Sequence, residues 1–288
     1  MLAVYEKELK GYFRSPIGVV FMGLFLMVSA GIFIFLYLNQ GVVAYSAYLS
    51  YVNIVFMIVI PILTMRTLSE EKKMKTDQLL LTNPLKVSDI VIGKFLAAAT
   101  VFFVTLIIHS LNAIIVSFFS DNMAFTEIIV SYLGLFLVGC CFIAIGIFVS
   151  SLTESQVVSA IITFAVLLFL FIVSWMQSSL PSSAISGIIF TLVISAAIAI
   201  FLYATLKNVV AAVVTFAGLA LIIGVIAIIN VNLYAGLLNS VVNWFSVLAK
   251  FDEYVIGLVS LSSFVYLLSF TAVFIYLTVY QLEKRRWA

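Results

Sequence analysis

The sequence predicts an all-α fold, a polytopic transmembrane helical bundle of about eight spans, with six as the alternative. Three observations carry this expectation. Of the 288 residues, 65% are apolar and 9% are charged, whereas a soluble domain carries roughly 25% charged and 45–50% apolar residues. The apolar residues collect in long runs, as backbone amides in hydrocarbon require when each must be satisfied within its own helix. The basic residues fall on alternate connections between those runs. A water-soluble globule and a disordered chain are thereby excluded. Eight spans of about 20 residues use about 160 positions, so one membrane domain over 1–288 is expected, with no second soluble domain.

In chain order, residues 3–14 place Val4, Tyr5, Leu9, Tyr12 and Phe13 near one face and Glu6, Lys7, Lys10 and Arg14 elsewhere. This predicts an interfacial elbow helix over 1–16, with Ser15-Pro16 turning the chain into the bilayer. The spans are expected at 17–38, 51–68, 90–119, 128–150, 156–176, 184–206, 209–229 and 262–282. The first is long and lacks a small-residue cleavage site, so it reads as an uncleaved span. Pro61 is an expected kink. With the amino terminus inside, Lys7, Lys10, Arg14, Arg66, Lys72, Lys73, Lys75, Lys86, Lys94, Lys207, Lys284, Arg285 and Arg286 are cytoplasmic, and of the 14 basic residues Lys250 alone falls outside. The weak joint is Lys207-Asn208: two re-entrant pieces there would reduce the count to six. A multi-pass protein of the cell (cytoplasmic) membrane with both termini cytoplasmic is expected. The tail Glu283-Lys284-Arg285-Arg286-Trp287 reads as a cationic stop with an interfacial anchor.

The segment 66–94 holds ten of the 26 charged residues: Arg66, Glu70, Glu71, Lys72, Lys73, Lys75, Asp77, Lys86, Asp89 and Lys94. Leu79-Leu80-Leu81 is followed by the helix stop Asn83-Pro84, and Ser88 is the expected N-cap of the third span. A short helix crosswise under the bundle could serve as a handle for a cytoplasmic partner; a solvated loop is the alternative. Within the spans, His109 and Asn112 share a helix face and serve either as interhelical glue or as a relay. Gly139 with Gly146, and Ala217 with Gly224, repeat a small-residue spacing of seven that suits close packing or a dimer seam. Outside, residues 231–261 form an expected extracytoplasmic amphipathic segment. Over 236–250, Asn239, Asn243, Ser246 and Lys250 mark the wet face of one helix that either gates a path or seals the rim.

Adjacent Cys140 and Cys141 in an apolar run offer neither a disulfide framework nor a metal motif, and the net charge of +2 without a basic patch gives no reason to expect nucleic acid. Asp121, Glu127, Asp252 and Glu253 belong to no catalytic pattern, so no enzyme is expected in this chain and no catalytic residue is assigned.

Glu70, Glu71, Thr76, Leu80, Leu81, Thr82 and Pro84, followed by Gly93-Lys94, form a pattern that resembles the coupling-helix region of ABC-2 type transporter permeases. Glu8-Leu9-Lys10-x-Tyr12-Phe13-x-Ser15-Pro16 resembles that family's elbow, and Ser151-Leu152-Thr153 with Gln156-Val157-Val158 its turn between spans four and five. The tail from Phe251-Asp252 to Trp287 is similar to the gliding-motility-associated branch. The family pattern has Gly where Lys75 stands and Glu where Gln78 stands, and six spans are usual, so 184–229 looks like an added hairpin. The resemblance implies the membrane-spanning permease subunit of an ATP-driven ABC transporter, a homodimer or heterodimer with two ABC ATP-binding subunits. ATP and Mg would sit in that partner, because this chain has no G-x-x-x-x-G-K-[ST] loop and binds no cofactor itself. It also implies ATPase coupling through Glu70, Glu71, Thr76, Leu79, Leu80, Leu81, Thr82 and Pro84 in a coupling region over 69–89. Export of a lipid-like, glycolipid or hydrophobic peptide substrate is expected, with His109, Asn112, Asn239, Asn243 and Ser246 as candidates for the substrate path or gate. The alternatives are an ion-coupled secondary transporter and an ATPase-linked transmembrane signalling component without cargo.

Overall fold

The computed structural model describes residues 1–40, 45–76, 86–118, 124–177 and 179–286. The described residues are 88% helical, with no strand among them. The helices are α1 (Leu2–Arg14), α2 (Pro16–Gln40), α3 (Tyr45–Thr64), α4 (Ser69–Lys73), α5 (Val87–Ser117), α6 (Phe125–Leu152), α7 (Gln156–Gln177), α8 (Ala184–Leu206) and α9 (Val209–Ile229), followed by a 3-10 turn (Val231–Tyr234), α10 (Leu237–Phe245), α11 (Val247–Val255) and α12 (Leu261–Arg286). Among the described residues, eight helices are long and apolar enough to cross a membrane: α2, α3, α5 to α9 and α12. They are the eight runs expected, with ends shifted by a few residues. Two local expectations are corrected. The N-cap of α5 is Lys86 in an extended conformation, so Ser88 lies inside the helix. The single helix expected over 236–250 is divided at Ser246, whose backbone is extended and whose hydroxyl lies 2.6 Å from that of Ser174.

The chain forms two compact units, Met1–Leu170 with Val247–Ala288, and Phe171–Ser246. In the first, α6 is the central helix: every residue from 137 to 147 is buried. Two glycines make this possible. A Cβ at Gly139 would lie 2.1 Å from the Phe102 ring of α5, and one at Gly146 would lie 2.2 Å from Oγ1 of Thr64 at the end of α3. The small-residue spacing in α6 is therefore used inside the chain. Phe25, Phe56, Phe102 and Phe142, all fully buried, bring α2, α3, α5 and α6 together, with Phe56 centred 6.0 Å from Phe25, 5.3 Å from Phe102 and 6.3 Å from Phe142. Such aromatic pairs add about 0.5–1.5 kcal/mol each beyond the area they bury. Cys141 donates to the Leu267 carbonyl and accepts from Thr271 on α12, so it packs as a small core residue. Pro61 is buried within α3.

In the second unit, α8 and α9 form a hairpin with a two-residue turn. Lys207 is left-handed, with φ 50° and ψ 27°, and its amide bonds to the Tyr203 carbonyl at 2.8 Å. Asn208 then caps α9 by accepting from the amides of Val210 and Ala211 at 3.0 and 3.3 Å. Both helices continue for more than 20 residues, so the joint at 207–208 connects two full-length helices. No residue of α9 is buried. A helix that is apolar all round and yet unburied in its own chain suits the interior of a membrane, against lipid or another apolar helix. The 3-10 turn fastens the hairpin, because the Tyr234 hydroxyl donates to the Ile223 carbonyl at 3.1 Å.

Candidate functional site

One end of the first unit holds a charged residue where a span should have none. Lys94 lies two turns into α5 and is 1% exposed. Taking an ammonium out of water costs several kcal/mol, and here the cost is offset by three acceptors. Its Nζ donates to Glu8 Oε1 at 2.8 Å, to Glu71 Oε1 at 2.8 Å and to the Thr67 carbonyl at 3.0 Å. An ammonium has three protons, so none is left unpaired. The acceptors come from α1, from α4 and from the turn before α4. Lys7 stands outside the group, 3.8 Å from Glu8 and 3.9 Å from Glu71.

The approach of α1 to α5 depends on Gly93, where a Cβ would come within 3.1 Å of Val4 and 3.2 Å of the Met1 carbonyl. Tyr5 and Thr100 add a hydroxyl contact at 3.1 Å. Tyr12 donates to the Leu63 carbonyl at 3.2 Å. Burial holds its phenol above the ordinary pKa, with lesser opposing effects from the Thr67 hydroxyl and supporting ones from Glu8, so Tyr12 stays a neutral donor.

The short helix α4 is fastened on its other side to α6. The Ser150 hydroxyl accepts from the amides of Leu68 and Ser69, both at 3.1 Å, and so satisfies donors at a helix start that would otherwise be unpaired. Lys72 donates to the Ser151 carbonyl, Ser69 to the Met65 carbonyl, and Arg66 pairs with Glu70. At the far end of α4 the Thr76 amide bonds to the Glu71 carbonyl at 2.9 Å and the Lys75 amide to the Lys72 carbonyl at 3.0 Å. This is a Schellman closure with Lys75 in its left-handed position at φ 55°. A cleft of about 240 Å³ runs beside these groups and is lined by Lys7, Glu8, Tyr12, Arg66, Glu70, Glu71 and Thr76, among others.

Of the coupling residues expected from the sequence, Glu70, Glu71 and Thr76 therefore meet at this cleft, with the Glu71 carboxylate turned onto Lys94. Leu79, Leu80, Leu81, Thr82 and Pro84 lie outside the described residues. Sequence reasoning missed Lys94, Glu8, Ser150 and Lys72 as site residues. The available signal was Lys94 itself, a cation inside an apolar helix that must find counter-charges.

His109 lies in a second buried network of the same unit. The Tyr48 hydroxyl donates to the Ser29 carbonyl at 3.0 Å, so towards His109 Nε2, 2.9 Å away, it accepts. Nε2 then carries the proton, and Nδ1 accepts from Tyr132 at 2.8 Å. Tyr45 stands 3.1 Å from the Tyr132 hydroxyl. A neutral imidazole thus satisfies a chain of bonds that ties α2, α3, α5 and α6. Asn112 is half-buried and outside that chain. In the second unit, Asn243 is exposed, Ser246 is buried against Ser174, and Asn239 donates to the Leu180 carbonyl at 3.5 Å.

Residues 16–183, more than half of the chain, match the family model described as ABC-2 family transporter protein. The chain belongs to the ABC-2 transporter family. No curated protein matches it. Membership makes it a membrane permease component of an ABC transporter, a transport part that is not itself catalytic, from a family that works with separate ABC ATP-binding subunits. The match takes in α4, Lys94 and Ser150 but begins after α1, so Glu8 joins the site from outside the matched region.

Proposed function

We propose that this permease exports a lipid-like, glycolipid or hydrophobic peptide substrate across the cell membrane. Both termini are cytoplasmic, and two copies, or this chain and a related one, pair with two ABC ATP-binding subunits that hold ATP and Mg. The 69–89 segment engages the ATP-binding subunit, and Leu79, Leu80 and Leu81 supply its apolar contact. One observation carries the reading: α4, which opens this segment, is fastened to α1 and α5 through Lys94 and to α6 through Ser150 and Ser151. A rigid stub held at several points passes on a push that a loop would absorb. The apolar character of the spans favours an apolar cargo over a small ion.

The test is co-expression with the ATP-binding subunit and purification through a tag on this chain. Replacing Leu80→Asp and Leu81→Asp together is expected to lower the recovered ATPase by roughly tenfold or more, equivalent to about 1.4 kcal/mol of binding. Undiminished recovery and unchanged ATP turnover would sink the assignment.

A further inference from the structure

We propose that Lys94 is a positioning residue of the transport cycle, which makes α1 and α5 move with the 69–89 segment. The role rests on the ATP-driven reading above. Its three donors reach three different elements and none is spare. Because the ammonium is buried, parting from its carboxylates would strand an uncompensated charge in the interior, which is strongly unfavourable, so the group moves as one body when α4 is displaced. The other polar ties of α1 run to the end of α3 and to the Thr67 hydroxyl through Tyr12, and to α5 through Tyr5. Its described ion pairs with α4 both converge on Glu71, through Lys94 and through Lys7. Both Glu70 and Glu71 line the cleft, but the Glu71 carboxylate is turned onto Lys94 while that of Glu70 pairs with Arg66. The helix being moved is suited to moving: α1 is amphipathic, with Lys7, Lys10, Phe13 and Arg14 exposed, and shifting it does not require a span to cross polar headgroups.

The knot joins places that lie far apart in sequence: Glu8 is 86 residues from Lys94 and Glu71 is 23. The elbow, the start of the coupling segment and the Gly93-Lys94 pair thus meet at one ammonium. If the group served only to hold the fold, a neutral replacement that restored stability would restore everything else.

The experiment uses the complex with its ATP-binding subunit, carrying spin labels at Lys10→Cys on α1 and Glu283→Cys on α12. Both positions are exposed, and the native Cys140 and Cys141 are buried. The distance is read without nucleotide and after trapping with ATP and vanadate, and its shift is divided by the trapped nucleotide. Lys94→Met alone should lower the thermal midpoint, because Glu8 and Glu71 then face each other. Adding Glu8→Gln should recover most of the loss, since Glu71 keeps Lys7. In this double variant the shift per trapped nucleotide is expected to fall by half or more. A recovered double variant that shifts like the natural chain overturns the proposal and leaves Lys94 a fold residue. Glu8→Gln alone, which keeps Lys94 paired with Glu71, serves if the double variant does not recover: a reduced shift supports the proposal and an unchanged one overturns it. If no ATP-binding subunit accompanies the natural chain, the ATP-driven reading falls and this proposal with it. If one does and only the shift is unaltered, this proposal falls alone.

Discussion

Lys75 shows how a single residue can look anomalous in sequence and acquire a reason in structure. The permease pattern that the sequence resembles usually has Gly at this place, and the chain is left-handed there, at φ 55°, because Lys75 closes α4. An L-residue in that region costs about 1–2 kcal/mol, part of which a glycine returns through the extra freedom of its unfolded chain, about 0.4–1 kcal/mol. Lys75→Gly is therefore expected to stabilise the protein by about 0.5–1 kcal/mol, seen as a raised midpoint in thermal unfolding in detergent. Lys75→Ala keeps the Cβ and should show no such gain; an equal gain from both would mean that the left-handed turn is not the cause. The departure from the pattern was legible at once in the sequence, but its meaning needed the backbone angle. Lys94 and Glu8 were hidden for a different reason. Each belongs to a motif, yet 86 residues separate the two, and no spacing rule connects an amphipathic amino-terminal helix to a cation inside a span.

Among the elements, α6 and α9 separate two features that look alike in sequence. Both carry small residues seven apart, Gly139 with Gly146 and Ala217 with Gly224. In α6 the glycines receive Phe102 and Thr64, whereas nothing lies within 4 Å of a Cβ at Gly224. Gly146→Leu should destabilise the chain by about 1–3 kcal/mol or more, because overpacking forces the neighbouring helices apart. Gly224→Leu should leave thermal unfolding of the detergent-solubilised chain unchanged or slightly improved, since leucine is the better helix former. Equal losses at the two positions would show that α9 packs as tightly as α6. The existence of these helices was legible because an apolar run long enough to span has few other fates. Which face meets which neighbour was not, because a helix apolar all round has no period to read. The break at Ser246 was missed for a related reason: the polar positions of 236–250 keep helical spacing across a residue whose hydroxyl is held by Ser174.

At the scale of the whole molecule, the eight long helices and the placement of charge make a joint prediction. If each of α2, α3, α5, α6, α7 and α8 crosses once, the chain has returned after six crossings to the side on which α1 lies, and Lys207 stands there. The positive-inside bias requires the same, since Lys207 on the other side would place a second basic residue beside Lys250. The tight turn with an Asn208 cap argues independently for two full crossings, because re-entrant pieces would place the Lys207 charge and the polar Asn208 in hydrocarbon. Lys207→Cys keeps that cap and adds a thiol at an exposed position, while the native Cys140 and Cys141 are buried and should stay silent. A membrane-impermeant maleimide is then expected to label Lys207→Cys only from the side that also labels Lys10→Cys on α1. Labelling of the two positions from opposite sides would remove the eight-span topology and leave the six-span alternative, in which both ends still lie on one side.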